Sequence, residues 1–171
     1  MLTNSLTALV LSLGLVAAGP IVKRSVLTDL TTIGNDLSTL QKDITGWDGS
    51  LLTAIPLLED VDNVENALKT AISDTQASAA FDSSDSTSVT NEVLALEPQI
   101  TTTLNDLVAK ESDVAAIGYT STVQSSLETL KNLTDQLTSA LEAKVTSTDE
   151  PTIANASSVI DAAFASAIAA F

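Results

Sequence analysis

Apolar residues recur at alternating steps of four and three through nearly the whole chain, the spacing that places side chains on one face of an α-helix. Val26, Leu30, Ile33, Leu37, Leu40, Ile44 and Trp47 form the longest such stripe, flanked by Asp29, Asp36 and Asp43, and Gly46 and Gly49 end it. A second segment starts near Ser50, with Pro56 placed to kink a helix or to begin one, and continues through Leu57, Val61, Val64, Leu68 and Ala71. The break that follows is expected at Phe81–Ser88, a run rich in helix-capping residues. Val89, Val93, Leu96, Ile100, Leu104 and Leu107 define a third stripe, with a bend expected at Pro98, and Gly118 closes that region. Tyr119 to Val145 reads as a fourth helix with Val123, Leu127, Leu130, Leu137 and Leu141 inward. Thr134 takes the remaining inward slot, where its hydroxyl is expected to bond the carbonyl four residues back. Thr146–Pro151 reads as a linker, and Ile153, Ile160, Phe164, Ile168 and Phe171 mark a fifth helix whose inner face is otherwise mostly alanine. No strand-like alternation competes, so the expected fold is all-α, an antiparallel bundle of about five amphipathic helices.

Composition narrows what such a bundle can do. The 171 residues contain no cysteine and no histidine, which removes disulfides, the usual zinc, haem and copper ligands, and catalysis built on His or Cys. Neither metal nor cofactor is expected. A net charge of −15 repels phosphate backbones, so nucleic acid is a poor partner, and aromatic residues at 3% are too few for stacking platforms. Hydrophobic content is nevertheless 44%, enough apolar surface to offset chain entropy.

The N-terminus carries an uncharged run from Leu6 to Val16, too short to span a bilayer and suited to a signal-peptide core, although no Lys or Arg precedes it. Small residues place signal cleavage after Ala18, so residues 1–18 are the expected signal peptide. The dibasic pair Lys23-Arg24 then ends a short propeptide of residues 19–24, leaving 25–171 as a single helical domain. No later segment has 18 consecutive apolar residues, so no transmembrane span is expected, and a secreted, extracellular or wall-associated location follows. Two N-glycosylation sequons occur, at Asn132 and Asn155, the second being the better candidate because it lies near a helix start.

Several short stretches, in their order and spacing, resemble the hydrophobic surface-binding protein A family, which includes fungal cell-wall galactomannoproteins. They are Leu96-Glu97-Pro98, Leu107-Val108-Ala109-Lys110, Thr120-Ser121-Thr122-Val123 and, above all, Ala163-Phe164-Ala165-Ser166-Ala167-Ile168-Ala169-Ala170. The likeness runs from Val26 to Phe171. It implies a secreted or wall-associated helical domain that adsorbs to hydrophobic solids, recruits a polyester-degrading esterase to them, or holds a fatty acid between its helices. It brings no catalytic motif. The Ser/Thr/Pro-rich tail of wall-bound members has no counterpart before Phe171, so the freely secreted form is the expectation.

Three function classes remain to be separated. As a lipid or apolar-surface binder, the protein would use its inner stripes: Leu30, Ile33, Leu37, Leu40 and Ile44; Ile100, Leu104 and Leu107; Leu130, Leu137 and Leu141; Phe164 and Ile168. A palmitate-sized tail buries roughly 14 CH₂ groups, about 11 kcal/mol before ordering costs. The competing structural reading is a close-packed bundle with no cavity. As an acidic interaction module, the protein would instead bind an enzyme or a wall polymer through its charged faces, and salt would weaken that binding. An enzyme would have to work with carboxylates such as Glu59, Asp60 and Asp62 or Glu111 and Asp113, but clusters of this kind on helix faces usually serve solvation. No enzymatic activity is expected.

Overall fold

A computed structural model of the protein describes residues 20–171, with side chains from Ser25 onward. The chain forms α1 (Pro20–Gly46), α2 (Ile55–Ala77), α3 (Ser83–Val108), a short α4 (Glu111–Ala116), α5 (Thr120–Glu142) and α6 (Glu150–Ala170). There are no strands among the described residues. The expected signal peptide with its cleavage site at Ala18 lies outside the described residues. The backbone of Lys23 and Arg24 lies within α1.

Sequence and structure part company at the joints. The run Phe81–Ser88 is a break only as far as Asp82, whose carboxylate caps α3 by accepting from the backbone N–H groups of Ser84 and Asp85 at 3.1 and 3.0 Å. Beyond it, Ser and Thr tolerate the helix because Thr87 and Ser88 return their hydroxyls to carbonyls four residues back. Pro56 begins α2 rather than kinking it. Pro98 sits inside an uninterrupted α3 on its exposed side, where water can serve the carbonyl left without a donor. The expected linker 146–151 yields its last two residues to α6, and α4 is an added turn that periodicity did not separate.

The helices pack as a closed ring in the order α1, α2, α5, α6, α3 and back to α1, with α4 resting on α5. Consecutive helices are therefore not always neighbours. Although five residues join α2 to α3, α3 lies between α1 and α6. Cross-links give the directions: Ser25 with Asp74 makes α1 and α2 antiparallel, as do Thr138–Ser157 and Lys131–Asp161 for α5 and α6. Thr31–Glu92 and Gln41–Asp106 make α1 and α3 parallel. Gly34 favours that parallel pair, because a Cβ there would stand 3.3 Å from Leu96 Cδ2. On α6, Ala156 and Ala167 are fully buried and allow similarly close approach.

With only Glu150 and Asp161 charged, α6 is long and apolar enough to cross a membrane by length and composition. It reaches that standard through its alanines rather than through an unbroken run of large apolar residues. Here Ile153, Ile160 and Phe164 turn one face of it into the ring.

An acidic seam runs along the α1–α2 contact. Burial, reinforced by Asp74 opposite, pushes Asp29 up to about 6, and burial with Asp43 and Asp36 nearby raises Asp60. On α5, burial also raises Asp135. A carboxyl raised in the folded state binds its proton more tightly there than in the unfolded chain, so its contribution is complete below about 4 and is lost as pH rises through about 6. We therefore expect stability to increase between pH 7 and pH 5, and Asp29→Asn to raise stability at pH 7 while flattening that slope. Urea unfolding at the two pH values measures both effects.

Candidate functional site

Five helices with axes about 10 Å apart stand on a circle of roughly 8.5 Å radius, and their side-chain envelopes of about 5–6 Å fill all but about 3 Å along the central axis. A ring of five thus tends to leave a lumen of alkyl-chain width unless large side chains fill it, and this protein has few aromatics. The structure contains a cavity of about 120 Å³ there, several times what a single water needs.

All five ring helices contribute to its wall. Ile33, Leu37, Leu40 and Ile44 come from α1; Leu57, Leu58, Val61, Val64 and Leu68 from α2; Ile100, Thr103, Leu104 and Leu107 from α3; Val123, Leu127, Leu130 and Thr134 from α5; and Phe164 from α6. Trp47, Ala54, Val114, Ile117 and Tyr119 complete the lining at the end where α1 stops and α2 and α5 begin. The two buried threonines add no exposed polarity, because Thr103 donates to Gln99 O and Thr134 to Leu130 O, each at 2.8 Å. Thr134 thus behaves as its sequence position suggested. No charged side chain lines the space.

The two ends of the ring differ. At one, Phe81 N donates to Lys144 O at 2.7 Å, Lys144 Nζ donates to Ser78 O at 2.6 Å, and the Ser86 hydroxyl donates to Asp149 while accepting from Thr146 N. That end is sewn shut by polar bonds. Toward the other end the wall reaches the surface at Leu58 and Thr122, its exposed members, so the mouth lies between the first turns of α2 and α5. Tyr119, Thr122 and Ser126 also border the space on this side, yet the surface they and the other lining residues present to it is almost wholly apolar.

Of the thirteen residues expected from sequence, nine converge on the cavity: Ile33, Leu37, Leu40, Ile44, Ile100, Leu104, Leu107, Leu130 and Phe164. Four do not. Leu30, Leu137 and Leu141 are buried in the solid core, and Ile168 packs partly buried against it, all outside the cavity wall. Sequence reasoning omitted the α2 wall although its own stripe had named Leu57, Val61, Val64 and Leu68 as inward. It also missed the lining by Trp47 and Val114, which meet only through folding. Both sequon asparagines are exposed, and the Asn132 amide oxygen accepts from Gln136 Nε2.

The ring and its apolar lumen define a class: an all-α bundle that encloses an apolar space and presents no arrangement of charges within it. The chain belongs to the hydrophobic surface binding protein A family, whose model matches residues 24–143. Its fold is similar to AFMP4P, whose crystal structure is in complex with palmitic acid, at 40% identity and TM-score 0.85, covering 86% of this chain and 98% of that one. Ligand binding domain 1 of the Penicillium marneffei MP1 protein, complexed with arachidonic acids, shares the fold at 21% identity and TM-score 0.81, covering 86% and 97%. Domain 2 of the same protein, complexed with multiple arachidonic acids, does so at 20% identity and TM-score 0.79, covering 84% and 91%. No curated protein matches.

Proposed function

We propose that the protein is a secreted binder of long-chain fatty acids that takes the acyl tail into the lumen of its helical ring. The observation that carries this is the cavity, walled by apolar side chains from all five ring helices and opening at one end. The palmitic acid complex of a relative at 40% identity supports the same ligand class. In this reading Ile33, Leu37, Leu40, Ile44, Ile100, Leu104, Leu107, Leu130 and Phe164 contact the tail, joined by the α2 wall. Leu30, Leu137, Leu141 and Ile168 only support it. The carboxyl end faces the mouth, where water meets it.

Export through removal of residues 1–18 and processing after Lys23-Arg24 belong to the same proposal, as does N-glycosylation at the exposed Asn155 and Asn132. Recruitment of a polyester-degrading esterase would be a second use of the molecule once it sits on an apolar surface. The role is binding, with no reaction assigned.

Native mass spectrometry of protein purified from its own host tests the proposal. A co-purifying species with the mass of a C16 or C18 fatty acid is expected. Protein that arrives empty, and shows no affinity for added palmitate, would instead leave an acidic wall or enzyme-binding module as the account.

A further inference from the structure

The turn between α1 and α2 is braced from within and apolar without. Trp47 is buried; its indole N–H donates to Ser50 O at 2.9 Å, and Lys110 Nζ from beyond α3 donates to Trp47 O at 2.7 Å. Asp48 accepts from Ser50 N at 3.0 Å and from the Thr53 hydroxyl, and Gly49 supplies the positive φ of +83°. This frame holds Leu51, Leu52, Ile55 and Leu58 outward at 50%, 80%, 60% and 41% exposure. A single exposed leucine needs no explanation, but four within eight residues, showing on the order of 400 Å² together, mark a contact surface.

Two further features specify the partner. Leu58 belongs both to this patch and to the cavity wall, next to Leu57 and Ala54, so the patch continues the lumen onto the surface at its mouth. Its rim is acidic, with Asp48, Glu59 and Asp62 exposed and Asp113 against Gly49, while Lys110 is committed to Trp47 O. An anionic bilayer is repelled by such a rim, whereas a zwitterionic lipid surface is not.

We propose that Leu51, Leu52, Ile55 and Leu58 are the docking face by which the protein seats on a zwitterionic lipid surface, from which an acyl tail passes beside Leu58 into the lumen. This rests on the fatty-acid reading and adds the surface from which the ligand is taken. Aliphatic side chains at this depth enter the boundary between head groups and tails, and binding scales with the apolar area they bury.

The test compares the full chain with a Leu52→Ser/Ile55→Ser variant, neither residue lining the cavity. Flotation with phosphatidylcholine vesicles reads docking, the rate of labelled palmitate transfer from those vesicles reads loading, and titration with palmitate in buffer reads the lumen alone. Expected are a wild-type transfer rate that rises with vesicle concentration, a drop of at least tenfold in the variant, loss of flotation, and palmitate affinity within about twofold. Phosphatidylserine added to the vesicles should slow the wild type at low salt. A variant that floats and loads like the wild type would overturn the docking face. So would a wild-type dimer that the variant converts to monomer in sedimentation, since the patch would then be covered by a second copy. If palmitate titration fails for both proteins, the lumen reading falls and loading with it, while flotation lost only in the variant would still support docking.

Discussion

Leu104→Trp will weaken palmitate binding at least tenfold and leave the bundle as stable as before, or more so. Leu104 faces the lumen from α3 and is 6% exposed, so a larger side chain there must either enter the cavity of about 120 Å³ or displace its neighbours. In a closed core such overpacking costs about 1–3 kcal/mol. Where space is available, the indole instead gains contacts that an empty lumen lacks. Affinity and unfolding free energy measured on the same sample separate the two cases. In the wild type, lengthening the ligand from C10 to C16 should tighten binding steeply, each CH₂ adding up to about 0.8 kcal/mol, roughly fourfold. About 0.5 M salt should leave that affinity unchanged or raise it, because apolar burial is not screened. Affinity that ignores chain length and vanishes in salt would sink the lumen and restore the acidic interaction module.

The opposite pattern is expected of Leu141→Ala. Leu141 is 1% exposed and lies outside the cavity wall, in the solid part of the core near the sewn end of the ring. Truncating a fully packed leucine costs about 2–5 kcal/mol, the spread reflecting how far the site collapses. For a chain of this length each kcal/mol lowers Tm by about 2–4 °C, so a fall of roughly 5–15 °C is expected by calorimetry. Palmitate affinity of the folded fraction should stay within about twofold. A loss of affinity without loss of stability would place Leu141 at the ligand, contrary to the structure.

The contrast between Leu104 and Leu141 could not be read from the sequence, where both are inward leucines on helical stripes. Periodicity records which face of a helix is apolar because that depends on residues three and four apart. On that basis the five long helices, the all-α class and the self-bonded Thr134 were legible. So were the inward positions of all thirteen expected residues, in that each is buried or packs against the core. Missed local detail has local causes. Asp82 caps a helix inside what looked like a long break, and the six-residue α4 is shorter than any periodic signal can register.

Ring order is a different kind of quantity. Only five residues join α2 to α3, yet Gly34 opens α1 to Leu96 on α3, and α3 packs on α6 on its other side. Such fits are made between residues some 60 positions apart and depend on the shapes of both surfaces, which no single stripe contains. The lumen follows from them. It is the space left when five stripes meet around a common axis, so its volume depends on all five at once. Likewise, Leu58 and Leu52 carry the same side chain six residues apart, but the ring puts one at the edge of the cavity and leaves the other in water. Local periodicity thus dictates which residues must leave water. Which of them meet one another, and which are left facing an empty space, is settled when the helices pack, because close packing is a property of surfaces brought together from distant parts of the chain.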